Sequence, residues 1–125
     1  MINLDKNNEP LDLSYLKEMS GDSAEFIIEM IDLFKSQTPL YIAELQQAVD
    51  ARDWSAVASV AHKIKPTFVY VGREDARSHM QQIEDNAHAV KDVEGIAADC
   101  NEIIAFTEIL YKQLDAARAE LEKQL

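Results

Sequence analysis

Cysteine, glycine and proline are scarce in this chain, and each scarcity excludes something. Its 125 residues hold one cysteine, three glycines and three prolines. A lone cysteine, Cys100, cannot build an internal disulfide framework. With so few turn-forming residues, an all-β sandwich or barrel is disfavoured. A βαβ nucleotide-binding fold is disfavoured too, because it needs a glycine-rich phosphate loop. Basic residues are also few: 12 Lys and Arg stand against 23 Asp and Glu, a net charge of −11. Such a chain repels phosphate backbones and anionic lipid, so neither a nucleic-acid partner nor a membrane is expected. The main effect of the charge is solubility. No apolar run approaches the roughly 20 residues of a spanning helix, and no apolar signal core follows Met1. The expected compartment is therefore the cytoplasm. Catalytic signatures are missing as well. There is no phosphate loop, no Gly-x-Ser-x-Gly elbow and no His-Glu-x-x-His.

Apolar residues are plentiful, at 47%, enough for one domain with a real core. Residues 1–10 read as a loose polar segment, and residues 11–125 as one helical domain. Asp12 is the expected cap of a short first helix carrying Leu13 and Leu16, with Gly21 at its end. Asp22, with Glu25 three residues on, forms a capping box for a second helix. Phe26, Ile27, Met30, Ile31 and Phe34 begin its stripe, and Leu45, Ala48 and Val49 continue it. Pro39 is expected to kink or divide that helix. Asp53 caps a third helix, whose stripe is Val57, Val60, Ala61, Ile64, Phe68 and Val71, and Gly72 stops it. Ala76, Met80, Ile83, Ala87 and Val90 mark a fourth helix. Asp92 caps a fifth, carrying Ile96, Cys100, Ile103, Thr107, Leu110, Leu114, Ala117 and Leu121. The alternating spacings of four and three predict an all-α, antiparallel up-down four-helix bundle with a short extra N-terminal helix.

One residue stands off the buried stripe of the third helix. With Val57 at zero on the helical wheel, the stripe lies within roughly 60°, whereas His62 falls at roughly 140°. Its neighbours on the outer face are mostly small: Ser55, Ala58, Ser59, Pro66 and Val69, with Lys65 the long charged one. An imidazole kept clear in this way suits a group that meets a macromolecular partner. Neutral imidazole is nucleophilic near pH 7 and can take a phosphoryl group on one nitrogen while the other holds a proton. A metal site is not expected. Di-iron bundles use Glu-x-x-His on two helices, and neither His79 nor His88 has a glutamate three residues before it. Both read as surface residues, and Cys100 reads as a small core residue.

The run Ala61-His62-Lys63-Ile64-Lys65, with Gly72 ten residues after the histidine, resembles the signature of the histidine-containing phosphotransfer (HPt) domain. Gly21-Asp22, the Asp32 to Phe34 segment and Asp53-Trp54 are similar to further family patterns, and the likeness spans roughly Leu11 to Leu114. The resemblance implies a phosphocarrier of a two-component phosphorelay rather than an enzyme with autonomous activity. His62 would accept a phosphoryl group from a receiver-domain aspartate and pass it to another receiver. Lys65 would be the cation beside the ring. Glu84, 22 positions after His62, would bond it. Ala58, Ser59, Pro66, Val69 and Gly72 would set accessibility and helix geometry. No cofactor of its own is implied, Mg²⁺ being expected on the receiver partner. The implied partners are response-regulator receiver domains and a hybrid sensor histidine kinase. A monomer is expected; the starting Met1 and the lack of flanking kinase sequence point to a free-standing carrier, with a fragment of a hybrid kinase as the alternative. Pro66 departs from the family pattern, which usually has glycine there. A proline cannot donate to the His62 carbonyl, so a kink one turn past the histidine is expected. The competing reading is a helical protein-interaction module that carries no phosphate.

Overall fold

The structure, a computed structural model, describes residues 2–125. Among them are five α-helices and no strand: α1 (Ser14–Ser20), α2 (Ala24–Asp50), α3 (Trp54–Tyr70), α4 (Glu74–Ala89) and α5 (Val93–Glu122). Helices α2 to α5 form the four-helix bundle. In cyclic order, α3 packs between α2 and α4, and α5 closes the ring against both. The short α1 leans on α2 and α3. Connections of three residues force neighbouring helices to run antiparallel. No described helix is long and apolar enough to cross a membrane.

The apolar stripes become the core. Val57, Val60, Ala61, Ile64, Phe68 and Val71 are all buried, as are Ile96, Cys100, Ile103, Thr107, Leu110, Leu114 and Leu121. The caps of α3 and α5 are those expected: Asp53 accepts from the Ala56 amide and Asp92 from the Gly95 amide. The first two caps move by one residue. Asp12 instead bonds the Ser14 amide at 3.0 Å, and Leu13 becomes the cap. Gly21 and Asp22 both adopt left-handed backbone (φ of 63° and 65°), so the chain re-enters a helix one residue later than expected. Ser23, not Asp22, then caps α2 through the Phe26 amide at 3.2 Å.

Neither internal proline divides its helix. Pro39 and Pro66 are both exposed, and α2 and α3 run through them. On that side, water can take the bond that the carbonyl four residues back has lost. Val90 is not a core residue either. It ends α4 in the left-handed region with φ 49° and stays 59% exposed, a strained place for a β-branched side chain.

The N-terminal segment is the largest departure from expectation, since it is not loose. Leu4–Asn8 forms a 3-10 turn and Ile2 is buried. The cause is Arg73, whose side chain is only 2% exposed. Its guanidinium lies 4.5 Å over the Phe106 ring and donates to both Asp75 oxygens (3.0 and 2.9 Å) and to the Asn3 carbonyl (3.2 Å). The Asn3 amide donates in turn to Asp75 at 2.7 Å, and Gln113 donates to the carbonyls of Lys6 and Glu9. A buried arginine with its donors satisfied holds a polar segment that has little apolar surface of its own.

This clamp gives a pH prediction. Burial alone would raise the Asp75 carboxyl, but the Arg73 guanidinium and the Asn3 amide outweigh it and hold it at about 2, against an ordinary 3.8. A depressed carboxyl stabilises the fold above its unfolded value, and that share is lost as pH falls through its folded value. Urea unfolding is expected to lose roughly 1–2 kcal/mol from this group between about pH 4.5 and pH 2. The Asp75→Asn protein is expected to lack that share of the acid-induced loss.

Candidate functional site

The position of His62 follows from how α3 is covered. The arc at roughly 80–100° from Val57 carries Lys65 and Ala58, and α4 lies over it. Ala58 is therefore fully buried, not an outer neighbour of the histidine as expected. The Lys65 side chain is 14% exposed. His62, further round, escapes: its side chain is 72% exposed. Ser59 and Pro66 are exposed beside it, and Val69 is half-buried.

On α4, Glu84 meets both residues. His62 Nδ1 lies 3.3 Å from each Glu84 carboxylate oxygen. The Lys65 ammonium donates to Glu84 Oε1 at 2.7 Å and to Gln81 Oε1 at 2.6 Å. His88, exposed, has Nε2 3.8 Å from Glu84 Oε2. Burial alone would raise the Glu84 carboxyl, but hydrogen bonds and charge from Lys65, then from His62, outweigh it and hold it below its ordinary value. At neutral pH Glu84 is thus ionised and can only accept. The imidazole nitrogen facing it must carry the proton, which leaves the Nε2 lone pair on the open side of the ring.

Lys65 reaches the ring through Glu84 rather than standing alone beside it. Gln81, one helical turn before Glu84, is a site residue that the sequence motif does not single out. The 3.6-residue period puts Gln81 and Glu84 on one face, and that is the available signal. Beside the ring runs a shallow groove of about 310 Å³ lined by Tyr15, His62, Lys65, Pro66, Val69, Tyr70 and Arg77. Tyr15 comes from α1 and packs on Tyr70 with ring centroids 5.3 Å apart. Gly72 does not line the groove. It turns the chain out of α3 with φ 75° and lies against the backbone of Asp12. Pro66 leaves the His62 carbonyl without its intrahelical donor. Pro66→Ala is expected to restore that bond and raise stability by about 1–2 kcal/mol, read as a higher Tm. An unchanged or lower Tm would show that the proline costs the helix nothing.

A helical bundle that offers an exposed imidazole, with its inner nitrogen held by a buried carboxylate, has the build of a phosphocarrier. The Hpt domain family matches residues 29–123, from within α2 to the end of α5. The chain belongs to the Hpt domain family, the histidine phosphotransfer modules of two-component systems. Residues 2–28, with the 3-10 turn and α1, lie outside the matched range. No curated protein and no solved structure matches the chain.

Proposed function

We propose that the protein is a phosphorelay carrier in which Nε2 of His62 accepts a phosphoryl group from a receiver-domain phosphoaspartate and returns it to the aspartate of another receiver. The Nε2 lone pair forms the N–P bond as the aspartyl O–P bond breaks, and the aspartate leaves as a carboxylate. The proton on Nδ1 stays there throughout, donated to Glu84, and reversal restores the starting ring. The observation that carries this reading is the exposed ring whose Nδ1 is 3.3 Å from both Glu84 oxygens. With little covalent work left to the carrier, positioning dominates. The receiver brings the acceptor aspartate and its Mg²⁺, and the transfer at His62 draws on no cofactor of the carrier. Lys65, held near the ring by Glu84 and Gln81, offsets part of the charge that phosphorylation adds. The groove beside His62, with Tyr15, Pro66 and Val69, is where the receiver seats. We place the carrier in the cytoplasm as a monomer, where the buried Cys100 stays reduced.

The test is transfer from labelled phospho-receivers of the source organism. Label is expected on the carrier in an acid-labile, base-stable linkage, as phosphohistidine requires. If every receiver fails to donate, the interaction-module reading replaces this one.

A further inference from the structure

Away from His62, helices α4 and α5 bring His79, Asp99 and Glu102 together. One ligand atom from each lies within 4.8 Å of the others. The sequence pattern suggests a surface residue at His79, but its side chain is only 3% exposed, packed between the two helices. Its Nε2–H donates to the Asp99 carbonyl at 2.8 Å. That bond fixes the tautomer and leaves Nδ1 as a lone pair. Nδ1 has no hydrogen-bond partner among the described residues, and Glu102 Oε2 stands 3.8 Å away. In the neutral ring an acceptor nitrogen thus faces a carboxylate oxygen, and no hydrogen bond joins the two across their 3.8 Å.

A cation relieves this opposition. Asp99 and Glu102 stand three residues apart on α5, so both carboxylates project to one side of that helix. The Glu102 side chain is 58% exposed, which gives an ion a way in and lets the carboxylate swing onto it. An imidazole whose second nitrogen donates to a backbone carbonyl has the outer-shell bond that orients a metal ligand. One nitrogen and two carboxylate oxygens suit a borderline ion such as Zn²⁺ at roughly 2.0–2.2 Å, with water completing the shell. We propose that His79 Nδ1, Asp99 and Glu102 form a binding site for one divalent first-row transition-metal ion, Zn²⁺ above all, which ties α4 to α5. The di-iron pattern Glu-x-x-His places both ligands on one helix. Here the histidine comes from one helix and an Asp-x-x-Glu pair from the next.

Calorimetric titration of the full chain with Zn²⁺ tests the site, with thermal unfolding alongside. One ion per chain is expected, with Tm raised by about 5 °C at free Zn²⁺ ten times Kd. Asp99→Asn and Glu102→Gln, which leave the buried imidazole in place, are each expected to weaken binding at least about tenfold. Mg²⁺ at the same concentration is expected to leave Tm unchanged, since imidazole suits it poorly. The double variant His62→Gln/His88→Gln removes the imidazoles around Glu84 and is expected to bind Zn²⁺ like the unaltered chain. The proposal is overturned if no Zn²⁺ binds below about 1 mM. It is equally overturned if the two carboxylate variants bind as tightly as the unaltered chain, or if the double variant abolishes binding.

Discussion

His62→Gln is expected to abolish phosphoryl acceptance, lowering the transfer rate by roughly 10³-fold or more, while the bundle stays folded. The ring contributes almost nothing to packing, since its side chain is 72% exposed. Its loss therefore removes the proposed nucleophile without opening a cavity. The comparison with Glu84→Gln makes the test specific. An amide oxygen at that position can still accept from Nδ1–H, but the charge that fixes the proton there and anchors Lys65 is gone. A fall of about tenfold is expected, in rate and not in folding. Rapid-quench transfer from a labelled phospho-receiver measures both. If His62→Gln still gains label, the acceptor is another residue and the reading of the site is wrong.

Gly72→Ala is expected to destabilise the protein by about 2–4 kcal/mol. Gly72 has φ +75°, and a Cβ there would sit 2.9 Å from Asp12 Cβ and 3.1 Å from the Asp12 carbonyl carbon. Both the backbone conformation and the close approach oppose a side chain. Gly21 isolates the first of these, since its φ is +63° but a Cβ there would meet nothing within 4 Å. Gly21→Ala is therefore expected to cost only about 1 kcal/mol. Urea titrations of the two variants separate conformational strain from contact. Equal losses would show that the approach to Asp12 does not matter. The contact has a functional side as well. It docks the start of α1 on the end of α3, and so helps bring Tyr15 to Tyr70 at the rim of the groove.

Periodicity makes the bundle legible because the buried stripe of each helix is a property of that helix alone. Val57 to Val71 and Ile96 to Leu121 can be read directly, and so can a histidine off the stripe. The signature around His62 then points to a family whose match covers residues 29–123. Features that depend on a second helix are harder to see. The wheel of α3 places Ala58 beside His62, because it carries no information about where α4 lies. The same blindness hides Gln81 under Lys65 and turns the buried His79 into an apparent surface residue. Residues 1–10 look loose because they are polar. Their anchor is a buried arginine 70 positions from Asn3, and no local pattern shows such a contact. The caps of α1 and α2 shift by one. At α2 the reason is that Asp22 follows Gly21 into left-handed backbone, a conformation more expected of glycine than of aspartate.

The claim at the centre is that Glu84 holds the proton on Nδ1 of His62 and thereby directs phosphorylation to Nε2. Long-range ¹H–¹⁵N correlation spectra of the imidazole, before and after phosphorylation by a receiver, test it directly. The geometry requires the Nδ1–H tautomer in the free protein and phosphorus bonded to Nε2 in the phosphorylated one. Phosphate on Nδ1, or an Nε2–H tautomer in the free protein, would contradict it.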